Sequence, residues 1–227
     1  ISSEIDQILL KAEANDEMFK YLLWEMLIHY ERSNVMGFDA VFVHLAENYL
    51  NKNDRAPWMN TAVKKNIIER AQTLSPLLLN KKAPQMVLMD TNNKAVSLHH
   101  INAKYTIIFF WDTDCGHCKK ETPKLKDFYQ NYKDSLNIEV YGVCIDTSMK
   151  RWKDYIIKQK LNWINVNGYL SYTRDFHDLY DIFSSPVMYL LDEDKKIIAK
   201  RILTDQIKSF ILRKEGILKN ENYEKSP

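Results

Sequence analysis

The most constraining feature of this chain is a pair of cysteines that comes shortly after an apolar run. Residues Tyr105–Trp111 are all β-branched or apolar and aromatic, a pattern that predicts a buried strand. A Cys-Gly-His-Cys motif follows at 115–118 after three polar residues, and a helical pattern continues from it to about Tyr132. Unpaired amide groups and the dipole at a helix start favour a thiolate there, and two cysteines at this spacing can close a disulfide. The sequence therefore predicts a redox site at this strand-to-helix junction.

The composition argues against several other classes of protein. The 227 residues are 45% hydrophobic and 12% aromatic, which suffices for a folded core. Basic and acidic residues number 32 and 30, so the net charge of +2 predicts neither a nucleic-acid partner nor an anionic membrane surface as a partner. No apolar run reaches the roughly 20 residues that span a bilayer. Because the chain begins at Ile1 without a signal-like segment, we expect a mature or trimmed form whose address cannot be read.

Three cysteines are too few for a secreted scaffold held together by disulfides. They fit one working pair, Cys115 and Cys118, with Cys144 as a small core residue in an apolar strand. The alternatives for the pair are a structural disulfide or half of a zinc site. A zinc site needs further ligands, for which His99 and His100 are the nearby candidates, and we assign these to a hairpin surface. We expect no metal ion and no cofactor.

The first part of the chain shows helical periodicity throughout. Apolar positions predict four helices, near residues 5–12, 19–30, 39–50 and 57–74. Pro57 is interpreted as part of the first turn of the fourth helix. We predict a small all-α domain over residues 1–82, a second domain over 83–220 and a polar tail over 221–227.

After the linker around residue 83, strands alternate with helices. The predicted strands cover residues 86–90, 95–99, 105–111, 138–145, 163–166, 187–191 and 196–203. The predicted helices run from the cysteines to 132 and over 148–160, 173–182 and 204–214. This alternation, closed by a hairpin, predicts an α/β sheet with helices on both faces.

Residues 84–212 resemble the thioredoxin superfamily, and within it the membrane-associated bacterial thiol-disulfide oxidoreductases of the TlpA/ResA type. The resemblance rests on Trp111 four residues before Cys115, on Ser185-Pro186 before a strand, and on the inserted helix and strand over 148–166. It implies a thioredoxin-like fold, with a central mixed sheet flanked by helices, preceded by the all-α domain. A helical region in front of such a domain is similar to an arrangement common in Bacteroidetes envelope proteins.

The resemblance also implies roles for the motif. Cys115 would attack a substrate as the thiolate, Cys118 would resolve the mixed disulfide, and His117 would stabilise the Cys115 thiolate. The expected partners are protein thiols and disulfides, with a membrane-bound or other thiol redox partner that recharges the pair. The expected location is the periplasm or cell envelope. Whether the protein reduces or oxidises its substrate is left open, because pairs on this fold span roughly 150 mV.

Further site residues follow from the same resemblance. Ser185-Pro186 matches a cis-proline segment that would hold an extended substrate peptide, with Trp111 as a second substrate-binding residue. Glu121 is expected to handle protons, because Phe109 occupies the position at which thioredoxins often carry a buried Asp. Asp114 departs from the family pattern, which usually has Trp before the first cysteine. A carboxylate beside Cys115 opposes thiolate formation.

Two other functions remain open. A peroxiredoxin-like peroxidase would need Thr or Ser three residues before the reactive cysteine and Pro further upstream, where this chain has Asp112 and Ile108. A partner-binding protein on a thioredoxin-like scaffold would use the helical domain to dock a partner or to dimerise. The intact cysteine motif argues against a purely structural scaffold.

Overall fold

The computed structural model describes residues 1–218, which form two compact units. The first unit comprises residues 1–84 and the segment 177–181, and the second comprises 85–176 and the described residues from 182 onward. The polar tail predicted over 221–227 lies outside the described residues. None of the described helices combines the length and the apolar character needed to cross a membrane.

The first unit is helical at its core. Its helices are α1 (Ser2–Ala12), α2 (Asp16–Glu31), α3 (Asp39–Leu45) and α4 (Thr61–Leu74), with a π-helical turn over Ala46–Asn51 and a 3-10 turn over Ser75–Leu77. The third predicted helix therefore changes its hydrogen-bond pattern at Ala46 instead of continuing as an α-helix. Its core is built mainly from aliphatic and aromatic side chains, among them Leu9, Phe19, Leu23, Leu27, Phe42, Leu45 and Leu50.

The expected start of the fourth helix was wrong. Pro57 lies outside α4, which begins at Thr61. The Asn60 side-chain oxygen accepts hydrogen bonds from the backbone amides of Ala62 and Val63, at 2.9 and 3.4 Å. These two amides have no partner within the helix, so an Asn side chain that accepts from both fixes the helix start.

The second unit contains a seven-stranded sheet. Its strands are β1 (Val87–Asp90), β2 (Ala95–Ser97), β3 (Tyr105–Trp111), β4 (Ile138–Cys144), β5 (Ile164–Ser171), β6 (Val187–Leu191) and β7 (Ile197–Lys200). The helices along this part of the chain are α5 (Gly116–Tyr132), α6 (Met149–Gln159), α7 (Phe176–Tyr180) and α8 (Thr204–Lys214), with a 3-10 turn over Leu98–His100. All but the first residue of α7 are grouped with the first unit.

The strand order is β2-β1-β5-β4-β3-β6-β7, and the sheet is mixed. Strand β3 runs parallel to β4 and antiparallel to β6, and all of its residues are buried. Trp111 pairs with Cys144 at the end of β4, and Phe110 pairs with Val187 at the start of β6. The loop after β3, the loop after β4 and the residues before β6 therefore meet at one edge of the sheet. The predicted α/β class, with helices preceding a mixed sheet, is confirmed.

Strand β5 is longer than predicted, because it reaches Ser171 instead of ending near Val166. Its first half pairs with β4, where Tyr141 lies opposite Ile164, and its second half pairs with β1, where Leu88 lies opposite Ser171. The two neighbours together stabilise a strand that is interrupted by Asn165, Asn167 and Gly168, residue types with low strand propensity.

Candidate redox site

Cys115 and Cys118 lie at the first turn of α5, where Cys115 is the N-cap residue. The backbone amide of Cys118 donates a hydrogen bond to the Cys115 sulfur at 3.1 Å. The Cys115 thiol donates to the backbone carbonyl oxygen of Ser185 at 3.2 Å. Cys115 is partly exposed and Cys118 is fully buried, and both are free thiols. The two sulfurs therefore have unequal access to a substrate.

The two thiols also differ in acidity. Burial works to raise the pKa of Cys115, but hydrogen bonding by the side chains of Cys118 and Ser185 and by the backbone amides of Cys118 and His117 together lowers it below its ordinary value. Burial, followed by the hydrogen bond with Cys115, raises the pKa of Cys118 to about 12. Because the thiolate is the attacking species, Cys115 is the better nucleophile of the pair.

His117 acts on Cys115 through its backbone. Its backbone amide is among the groups that lower the Cys115 pKa, and the residue itself is exposed. The helix start thus supplies the favourable field for the thiolate.

Ser185 and Pro186 lie directly before β6 and are joined by a cis peptide bond. Strand pairing places them beside α5, and the Ser185 carbonyl contacts Cys115 as described above. Trp111 is fully buried: its ring lies 6.3 Å from that of Phe109 and 5.0 Å from that of Tyr155, between centroids. The Trp111 side chain is therefore enclosed by other aromatic rings, and its role in substrate binding stays a prediction.

Glu121 is buried, with 5% of its surface exposed. Its carboxylate accepts hydrogen bonds from the Thr204 backbone amide at 3.2 Å and from the Lys124 ammonium at 3.0 Å. The first of these hydrogen bonds comes from α8 and the second from α5 itself, and neither involves a cysteine. Glu121 does lie three residues after Cys118 on α5, which places both on one side of the helix.

Sequence reasoning missed the carboxylate of Asp146, which is buried directly after β4. Asp146 accepts hydrogen bonds from the Thr113 hydroxyl, from the Ser148 backbone amide at 2.7 Å and from the Arg151 guanidinium at 2.8 Å. Burial works to raise the pKa of Asp146, but these three hydrogen bonds outweigh it and lower the pKa. A polar residue that follows a strand parallel to β3 was a usable signal, because parallel strands end at the same edge of the sheet.

Arg151, in the first turn of α6, was also missed. One guanidinium nitrogen lies 2.6 Å from a carboxylate oxygen of Asp114, and another lies 2.8 Å from Asp146. Carboxylate oxygens of Asp112, Asp114 and Asp146 lie within 4.8 Å of one another, so Arg151 is the counter-charge for two members of an acidic cluster. The predicted core residue Cys144 is fully buried, and burial raises its pKa to about 12.

Comparisons with known proteins bear on this site. Residues 79–220 match the model of the AhpC/TSA family. The thiol-disulfide oxidoreductase ResA of Bacillus subtilis is 30% identical over 116 residues, which is 51% of this chain and 63% of that protein, so the chain spans less than two thirds of this relative. A domain of a possible thiol-disulfide isomerase from Cytophaga hutchinsonii is 42% identical, with a TM-score of 0.58, covering 65% of this chain and 99% of that one.

A thioredoxin-like protein from Bacteroides caccae extends the likeness beyond the second unit. It is 17% identical, with a TM-score of 0.71, and the match covers 93% of this chain and 76% of that one. At this identity the likeness shows the fold alone. The fold is therefore thioredoxin-like in the part that carries both cysteines, and helices precede it.

Proposed function

Because the chain belongs to the AhpC/TSA family and holds two cysteines in unequal environments, we propose that it is a thiol-disulfide oxidoreductase that exchanges dithiols and disulfides with protein substrates. The observation that carries this proposal is the asymmetry of the pair. Cys115 is accessible and has a lowered pKa, whereas Cys118 is buried with a raised pKa. Relatives named as thiol-disulfide oxidoreductase and possible thiol-disulfide isomerase support the same class of reaction.

In the reducing direction, the Cys115 thiolate attacks one sulfur of a substrate disulfide. The substrate S–S bond breaks, the released thiolate takes up a proton, and a mixed disulfide joins Cys115 to the substrate. Cys118 then loses its proton and attacks the Cys115 sulfur, which releases the second substrate thiol and leaves the pair oxidised. The two electrons pass from the pair to the substrate, and the reverse sequence installs a disulfide.

Because the pKa of Cys118 is high, its deprotonation requires a proton acceptor. We retain Glu121 as the proposed proton acceptor, because it is a buried carboxylate on the same side of α5. Its present hydrogen bonds to Thr204 and Lys124 would have to rearrange. His117 is proposed to tune the Cys115 thiolate, and the backbone of Ser185-Pro186 to bind substrate beside the Cys115 sulfur.

The partners and the location are proposed from the resemblance to TlpA/ResA-type proteins. In that setting the protein works in the periplasm or cell envelope on protein thiols, and a membrane-bound or other thiol redox partner restores the pair. The chemistry of the pair itself requires neither a cofactor nor a metal ion.

The proposal is tested by trapping. With Cys118→Ser, the mixed disulfide at Cys115 cannot be resolved, so we expect it to accumulate on incubation with a disulfide-containing protein and to be visible by non-reducing electrophoresis. Cys115→Ser should trap nothing, and Cys144→Ser should behave as the wild type because Cys144 is fully buried. Trapping that persists in Cys115→Ser, or peroxide consumption by the wild type without disulfide exchange, would overturn the proposal.

A further inference from the structure

Asp114 directly precedes the attacking cysteine, and its charge poses a problem for that cysteine. A carboxylate so close to Cys115 disfavours the thiolate, yet the pKa of Cys115 is lowered. Asp114 forms an acidic cluster with Asp112 and Asp146, and the added negative charge would disfavour the Cys115 thiolate further. The charge of Asp146 is the less screened by water because this residue is buried.

The Arg151 guanidinium contacts two carboxylates of this cluster at once. Its two terminal nitrogens reach Asp114 at 2.6 Å and Asp146 at 2.8 Å. A guanidinium holds its donors in a fixed plane, so one side chain can bind two carboxylates at a defined separation. Arg151 comes from α6, a helix that follows β4, whereas Asp114 belongs to the loop after β3.

The same contacts hold the loop that precedes the cysteines. The Thr113 hydroxyl donates to Asp146, and the Asp114 amide donates to the Asp112 side chain at 2.7 Å. Hydrogen bonding by the Asp112 backbone in turn acts to lower the pKa of Cys118. Asp146 and Arg151 thus anchor a loop whose two ends lie against the two cysteines.

We propose that Arg151 is a positioning residue of the redox pair, which neutralises Asp114 and fixes the loop before Cys115 so that the Cys115 thiolate is favoured. This inference rests on the proposed function, in which Cys115 is the attacking thiol. Arg151 itself touches neither sulfur in the hydrogen bonds described. Its effect on the reaction passes through Asp114 and the loop.

Arg151 is well suited to substitution. Its side chain is 54% exposed and lies on the wall of a groove of about 480 Å³, together with Asp114 and Thr113. Replacing it leaves the cores of both units intact. Lys150, its neighbour on α6, is the matched control, because it is also exposed and pairs with Asp154 at 3.0 Å, outside the acidic cluster.

The test compares full-length Arg151→Gln with the wild type in two measurements. Titration of thiolate absorbance gives the Cys115 pKa, which we expect to rise by about half a unit to one unit. Equilibration in graded glutathione buffers, above the wild-type Cys115 pKa, gives the reduction potential. We expect the oxidised pair to be favoured about threefold to tenfold more, which corresponds to a fall of about 15 to 30 mV. Lys150→Gln should change neither quantity.

A second substitution separates the charge effect from general damage to the fold. Asp114→Asn should change the Cys115 pKa little while Arg151 is present, because the carboxylate is already neutralised. In the Arg151→Gln background the same substitution should return the pKa most of the way to the wild-type value. Arg151→Lys should rescue in part, since an ammonium cannot fork across two carboxylates.

These measurements distinguish a failure of the proposed function from a failure of the role proposed for Arg151. If the wild-type pair shows no reversible redox transition, the proposed function itself fails. If the wild-type pair titrates normally but Arg151→Gln leaves both its pKa and its potential unchanged, the role of Arg151 is overturned and the proposed function stands. Equal effects of Asp114→Asn with and without Arg151 would also overturn it, because the two residues would then act independently.

Discussion

At the scale of single residues, Asp146 links the loops on both sides of the redox pair. It is buried and accepts hydrogen bonds from Thr113 in the loop after β3 and from Ser148 and Arg151 at the start of α6. A carboxylate held in this way stabilises the folded state only while it is ionised. Its lowered pKa therefore predicts a defined dependence of stability on pH.

We predict that Asp146→Asn lowers the free energy of unfolding by about 1–3 kcal/mol at neutral pH, because hydrogen bonds to a charged acceptor are lost. The folded-state pKa of Asp146 is depressed, so its contribution is fully present above the unfolded value of about 3.9 and is lost as the pH falls through the lower folded value. Urea unfolding at several pH values should show the wild type converging on the variant below about pH 4.

Asp154→Asn is the control for this prediction, since Asp154 lies on α6 and is exposed and paired only with Lys150 among the described contacts. Its effect should stay within about 0.5 kcal/mol at every pH. A difference between the wild type and Asp146→Asn that persists unchanged into acid would show that the lost carboxylate charge is not its source.

Site residues that depend on local sequence spacing were predicted, whereas those that depend on contacts distant in sequence were missed. Cys115 and Cys118 were found from the sequence because their chemistry depends on local spacing after a strand. Asp146 and Arg151 were missed because their meaning depends on strand pairing, which brings the loop after β4 beside the loop after β3. For Glu121, the sequence predicted its position on α5 but not its hydrogen bond with the Thr204 amide.

At the scale of elements, Gly142 lets a central strand pass beneath a buried aromatic ring. A Cβ atom at this position of β4 would lie 2.6 Å from the indole nitrogen of Trp163. The indole has little room to move, because it is 5% exposed and lies edge-on to Phe109 and Tyr129 at centroid distances of 6.4 and 6.0 Å. We therefore expect the sheet to tolerate no side chain here.

Gly142→Ala should lower the free energy of unfolding by about 1–3 kcal/mol through overpacking. Gly116→Ala is the matched control, since an added Cβ there meets no atom within 4 Å. Its effect on stability should be about 0.5 kcal/mol or less. Thermal unfolding followed by circular dichroism compares the two, and equal destabilisation would show that contact with Trp163 is not the cause.

Element types were easier to predict than element ends. The apolar run of β3 fixed that strand to the residue, whereas β5 runs to Ser171 because two neighbouring strands pair with it in turn. The start of α4 was misplaced for a similar reason. Pro57 and Asn60 are both favourable near a helix start, and only the observed hydrogen bonds of Asn60 decide between them.

At the scale of the whole molecule, chain order and compact units do not coincide. The segment 177–181 belongs to the first unit, although it lies far along the sequence among elements of the second. Within the first unit, Arg70 of α4 forms an ion pair with Asp181 across 111 residues of sequence. The Asp181 side chain is fully buried and the Arg70 side chain is 26% exposed.

This long-range pair predicts an asymmetric response to mutation. Arg70→Ala leaves the Asp181 carboxylate buried without its guanidinium, so we expect a loss of stability on the order of 3 kcal/mol. Adding Asp181→Asn to that variant removes the buried negative charge and should recover part of the loss. Lys65→Ala, on the same helix at an exposed position with a loose 3.6 Å contact to Glu69, should be nearly neutral.

Urea unfolding of the four proteins measures these differences, with the m-value showing whether the transition stays cooperative. If the double variant is no more stable than Arg70→Ala, the loss comes from the packing of the arginine side chain and not from the buried negative charge of Asp181. Recovery of stability in the double variant would mean that the ion pair between Arg70 and Asp181, which are distant in sequence, holds the segment 177–181 to α4.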